Sequence, residues 1–160
     1  MSGAVAFKAE QIGENRWLLF DDPRLLDWCA AHIPNCESIG WHREGAQGIG
    51  VAIGEEIIAV MVAHNYEPAY RSVEISMAAT RPVWARRSTI RKALNYLFGQ
   101  LKVDRVTAHI ASLNKRSLKL ADGFGFVREG LMINGCGDDH RVVLGLTRTT
   151  ALEWGLIDGR

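Results

Sequence analysis

The sequence predicts an α+β fold: a meander of strands followed by alternating helices and strands. Three observations carry this expectation. Residues 57–63, Ile-Ile-Ala-Val-Met-Val-Ala, form an unbroken apolar run just after the alternating stretch 48–53, the pattern of a strand buried on both faces and paired with its predecessor. Ile90, Ala93, Leu94, Leu97 and Leu101 recur at helical spacing, which lays one apolar stripe along a helix. Residues 102–130 then read as strand, short helix and strand.

Residues 1–20 offer one candidate strand, Arg16-Trp17-Leu18-Leu19-Phe20. Asp22 and Pro23 form a helix-start signal, with Asp22 as N-cap and Pro23 at the first helical position. Leu25, Leu26, Trp28, Cys29 and Ile33 supply the apolar face, ending near Pro34. Residues 35–48, rich in Asn, Ser, Gly and charges, read as a loop carrying Trp41 and His42. Gly54, Glu55 and Glu56 turn the first hairpin, and residues 72–80 form the next strand.

Residues 80–92, TRPVWARRSTIRK, hold a strand end, a short loop with Pro82 and a helix start near residues 86–88. Five cations, Arg81, Arg86, Arg87, Arg91 and Lys92, fall in this window, and no acid occurs between Glu74 and Asp104. A helix start presents unpaired N–H groups and a positive dipole end, so this segment can receive an anion such as a diphosphate.

Val103, Val106, Ala108 and Ile110 form the apolar side of a strand. Asn114 is a favoured N-cap, Leu118 and Ala121 follow at helical spacing, and Gly123 and Gly125 close the helix. Residues 126–133 and 141–146 read as a hairpin around the tip Asn134-Gly135-Cys136-Gly137-Asp138-Asp139-His140. Cys, Asp and His at that tip invite a metal reading. The Gly, Asn and Asp content of a turn outweighs it, and no metal is expected. Residues from Thr147 on form a tail or short helix.

At 160 residues the chain is expected to be one domain, residues 1–160, with a core of its own. A net charge of +1 produces no global field toward nucleic acid or membrane. Three cysteines without repeated spacing read as reduced thiols of a cytoplasmic protein. No signal peptide and no membrane-spanning stretch are expected.

The pattern Asn114-x-x-Ser117-x-x-Leu120-x-x-x-x-Gly125-Phe126, followed by Arg128-Glu129-Gly130, resembles the C-terminal half of the GNAT N-acetyltransferase superfamily. It is closest to the branch that acetylates ribosomal-protein N-termini. With the strand and helix before it, the resemblance covers roughly residues 50–147. It implies a mixed, mostly antiparallel sheet, split at a central bulge and flanked by helices, with acetyl-CoA in the cleft. The implied activity is direct transfer of acetyl to an amine of a protein, peptide or small molecule, in a protein free to form a homodimer or larger assembly. The family's pyrophosphate loop registers on Ala85, Arg86, Arg87, Ser88, Thr89 and Ile90, with Thr80 closing the strand before it. This loop is degenerate: Ala85 replaces the basic first position, Ser88 the central glycine and Ile90 the last small residue. Met77 and Ala78 correspond to the backbone N–H donors that meet the thioester carbonyl. Ser117 corresponds to the acid that protonates the departing thiolate, Asn114 to a pantetheine or capping contact, and Glu74 to a base acting through water.

Two other readings follow from the departures. A GNAT-like module without activity, serving a larger assembly, fits the loop without glycines and the alanine, Ala121, where many relatives of this kind carry a tyrosine acid. A nucleic-acid modifying protein would use Arg81, Trp84, Arg86 and Arg87 along a backbone.

Overall fold

The computed structural model describes residues 8–159. The chain runs β1 (Lys8–Gly13), β2 (Arg16–Phe20), α1 (Arg24–Ala31), α2 (Ile39–Glu44), β3 (Gln47–Ile53), β4 (Glu56–Glu67), β5 (Ser72–Ala79), α3 (Arg87–Asn95), β6 (Arg105–Ala111), α4 (Lys115–Gly123), β7 (Val127–Cys136), β8 (Asp139–Thr147) and α5 (Arg148–Glu153). A 3-10 turn, Pro82–Trp84, precedes α3, and a π turn, Tyr96–Gln100, follows it. The strand order is β1-β2-β3-β4-β5-β6-β8-β7. The β5–β6 pair is parallel, whereas the β1–β2, β2–β3, β3–β4, β6–β8 and β7–β8 pairs are antiparallel. This is the mixed, mostly antiparallel sheet that was expected.

Two compact units share the chain. One comprises the residues up to Asn65 together with Ser76–Ile90; the other comprises Tyr66–Ile75 and the residues from Arg91 on. In the first, α1 lies on the β3–β4 hairpin. Leu25, Leu26, Cys29 and Ala30 of α1 are buried with Trp41, Val60, Val62 and Ala78. Full burial of a leucine such as Leu25 contributes about 1.5–3 kcal/mol. Close packing demands glycine here: a Cβ on Gly48 would stand 2.8 Å from the Leu25 Cβ, and one on Gly50 would stand 2.7 Å from the Leu25 Cδ2. In the second unit, Leu118 of α4 packs with Val142 and Leu144 of β8, flanked by Ile110, Ala121 and Phe126.

Three expectations need correction. Residues 39–44 form α2 rather than loop, ended by Gly45 in the left-handed region at φ 72°. Its single buried residue, Trp41, joins the core, and one anchor over six residues leaves too little periodicity to see. β1 was not foreseen, because its residues are almost all exposed and show no alternation. The last hairpin is longer and tighter than read: β7 reaches Cys136, which pairs with Asp139, and Gly137 turns the chain at φ 70°. At α1, Asp22 keeps the expected role in part. The helix begins at Arg24, and Asp22 Oδ1 accepts the Arg24 N–H at 3.0 Å while its carboxylate binds the Arg24 guanidinium.

Candidate functional site

The first unit carries the basic segment. The β5–β6 ladder runs only from Ser72↔Arg105 to Ile75↔Ala108; beyond Ile75, β5 continues through Met77 and Ala78. Thr80 closes the strand by donating its N–H to the Ile58 carbonyl at 2.9 Å. The chain then turns through Pro82–Trp84 into α3. Arg86, Arg87 and Ser88 are exposed at this helix start, while Thr89 and Ile90 are buried. The large side chain at position 90 thus turns into the core. Ser88, standing where the loop of the resemblance has a glycine, faces solvent. The amides of Ser88 and Thr89 belong to the first turn of α3, where a helix offers them no acceptor of its own, and no acid stands there.

Ala78 is buried, and its backbone N–H lies against the Cys29 thiol. Burial pushes that thiol up to about 12 despite this contact, so Cys29 is a core residue. Successive N–H groups of a strand point to opposite edges, which directs the Met77 N–H away from Cys29. One residue earlier, Ser76 Oγ shares a hydrogen bond of 2.8 Å with His64 Nε2, and the His64 ring lies 5.5 Å from that of Trp41.

At the far end of the β3–β4 hairpin a hollow of about 350 Å3 opens, lined by Asp21, Asp22, Pro23, Leu26, His42 and the start of β3. Nearby, Asp27 accepts hydrogen bonds from Ser38 Oγ at 2.6 Å and meets His42 Nε2 at 2.7 Å. The Ser38 hydroxyl, then His42, holds the Asp27 carboxyl below its ordinary range. Neither Trp41, buried in the core, nor Asp22, bound to Arg24, is free for a ligand. The hollow at Gln47 and the β3 terminus at Ile53 stand six residues apart, roughly 20 Å along a strand.

The second unit holds the remaining candidates. Asn114 Oδ1 accepts the Ser117 N–H at 3.2 Å and so caps α4. Ser117 is half-buried in the first turn. Glu74 is half-buried on β5. A residue the sequence reading set aside as a turn component, Asp139, organises this region. Its carboxylate accepts from the Ser112 hydroxyl and from the Leu113 and His140 N–H groups, and these bonds, the Ser112 hydroxyl foremost, hold it below the ordinary carboxylate range. It thereby fixes the two residues that lead to Asn114. His140 Nδ1 accepts the Asn134 N–H at 3.0 Å, so the Asp and His of the hairpin tip are spent on internal hydrogen bonds.

No protein-family model and no curated protein matches the chain in sequence. Solved structures do. Mutant forms of the spermidine/spermine N-acetyltransferase SpeG from Vibrio cholerae superpose with a TM-score of 0.72 at 15% identity, over 87% of this chain and 98% of that one. A dodecameric spermidine N-acetyltransferase from Vibrio cholerae in an intermediate state gives 0.71 at 15%, over 89% and 99%. A probable acetyltransferase gives 0.67 at 18%, over 89% and 98%. The chain therefore has the GNAT fold, that of acyl-CoA N-acyltransferases.

Proposed function

We propose that the protein is an acetyl-CoA-dependent N-acetyltransferase, a single GNAT-like domain across residues 1–160 working in the cytoplasm. The observation that carries this reading is the run from Ile75 to Ser88. The β5–β6 ladder stops at Ile75, and the strand leads within a few residues into an acid-free helix start where Arg86, Arg87 and Ser88 are exposed. The diphosphate of a thioester can meet the amides of this helix start. Thr80, Arg86, Arg87, Ser88 and Thr89 make up the diphosphate side, with Ile90 supporting the turn from the core.

The chemistry assigned to this chain needs three groups. The Met77 N–H, in preference to that of Ala78, donates to the thioester carbonyl as charge develops on it. Glu74 takes a proton from the acceptor ammonium through water, leaving the amine to attack the carbonyl carbon. As the C–S bond breaks, the Ser117 hydroxyl gives its proton to the departing sulfur and takes in its place the second proton of the attacking nitrogen, so the serine ends neutral and the products are amide and thiol. Asn114 serves by capping the helix that carries Ser117.

The acceptor is a primary amine. The hollow that Asp21 and His42 help to line suits a cationic one, whether a polyamine-like small molecule or the N-terminus of a peptide or protein. The resemblance to the ribosomal-protein branch supports the peptide, and the polyamine-acetylating neighbours support the small molecule. Edge strand β7 exposes Leu131, Met132 and Ile133, which supports self-association. Titration calorimetry with acetyl-CoA, followed by thiol-release assays over an amine panel, tests the reading. No binding at millimolar acetyl-CoA would leave only a non-catalytic module.

A further inference from the structure

The first residue of β2 carries a charge that acetyl transfer does not require. Arg16 is 6% exposed and pairs with Ile53 in the sheet. Its Nη2 donates to the Val83 carbonyl at 3.2 Å, in the turn that leads into α3. Its Nη1 is buried with no hydrogen-bond partner among the described residues. A buried guanidinium normally sits on a carboxylate. Here no carboxylate pairs with Arg16 among the described residues, and neighbouring Arg81 takes Glu56 at 3.6 Å. The charges close enough to affect Arg16 are Arg86 and Arg81, and with burial as the larger cause they lower its proton affinity.

Three guanidinium groups thus gather around one turn at the start of α3, with one exposed carboxylate among them. Left alone, this arrangement is unfavourable: a desolvated cation, an unpaired N–H and two like charges all count against it. An anion at the helix mouth reverses the balance. It would be met directly by Arg81, Arg86 and the first-turn amides, and Arg16 would attract it from beneath through a poorly screening interior. The bond to Val83 also holds the Pro82–Trp84 turn in place, support that a loop without glycines needs to present its amides.

We propose that Arg16 is a positioning residue for a phosphate-bearing ligand, a buried charge that braces the 82–84 turn and strengthens diphosphate binding at the start of α3. Taking the diphosphate to be that of a CoA thioester rests on the function proposed above; the role of Arg16 does not.

The probe is inorganic pyrophosphate, used in titration calorimetry and thermal melts with acetyl-CoA titrated in parallel. In the native protein, pyrophosphate is expected to raise the Tm in proportion to its concentration. Arg16→Met removes the charge but keeps the packing. It is expected to leave the Tm without ligand unchanged or raised, while weakening pyrophosphate about tenfold. Arg16→Lys should retain most of the affinity. A residue that only supported the fold would lower both quantities in Arg16→Met, and that result overturns the proposal, as does equal pyrophosphate affinity in native and variant protein. Should Arg16→Met not fold, Arg86→Gln gives the same opposed readings without touching the core: a higher Tm without ligand and weaker pyrophosphate. A lower Tm in that variant counts against the proposal. Pyrophosphate binding that depends on Arg16 without acetyl-CoA binding sinks the transferase reading and keeps this one. Acetyl-CoA binding that is indifferent to Arg16 does the reverse.

Discussion

Asn114 and Ser117 stand three residues apart in one motif, and the proposed function gives their side chains separable duties. Asn114 Oδ1 holds the Ser117 N–H, so Asn114→Ala removes a helix cap and is expected to cost about 1 kcal/mol in chemical denaturation. The Ser117 hydroxyl has no part in that cap. Ser117→Ala should therefore leave stability within about 0.5 kcal/mol of native, while kcat for acetyl transfer falls about 100-fold, the ordinary worth of a positioned acid. A Ser117→Ala enzyme with native kcat would remove this residue from the chemistry. Both residues were legible in the sequence because the motif is local: N-cap, first turn and glycine stop follow within a dozen positions. Asp139 was not, since its partners Ser112 and Leu113 lie 27 and 26 residues away, and no spacing rule connects a hairpin tip to the turn before a helix.

The elements divide along similar lines. α1 docks on β3 through Gly48 and Gly50, where a Cβ would press on Leu25. Gly50→Ala is expected to destabilise by about 1–3 kcal/mol through overpacking, measured as a shift in the urea midpoint, and Leu25→Ala should cost less in that background than in the native protein. α5 is secured otherwise. Arg148, its first residue, donates to the Asp104 carboxylate and to the Phe98 and Val103 carbonyls and lies 5.6 Å from the Phe98 ring centre. Arg148→Met leaves two carbonyls and a carboxylate without that donor and should cost about 2–4 kcal/mol. Long apolar elements such as β4 and α3 announce themselves by period, since the alternation or helical stripe is the burial pattern itself. α2 and β1 bury too little to leave one.

The chain's response to acid follows from where its carboxylates are tied. Asp22 is held below its ordinary range by Arg24, Asp27 by Ser38 and then His42, Glu129 by Arg105, and Asp139 by Ser112. A carboxyl whose folded value is depressed adds stability at pH above its unfolded value, about 4, and that contribution is lost as pH falls through the folded value. The Tm should therefore be flat from about pH 7 to 5 and fall progressively below about pH 4. Asp139→Asn should flatten part of that decline. A Tm independent of pH down to 3 would contradict these assignments. Among the described residues no helix is long and apolar enough to cross a membrane.

Periodicity, glycine stops and the Asn114 motif already specified the order of strands and helices apart from β1 and α2, the basic helix start and the family resemblance, because each depends on neighbours within a few residues. Folding alone determined that Ile90 turns inward, that Ala78 faces Cys29, and that Arg16 reaches Val83 across 67 positions. Those outcomes depend on which strand lies beside which, and a contact made across the chain leaves no mark on the residues next to it.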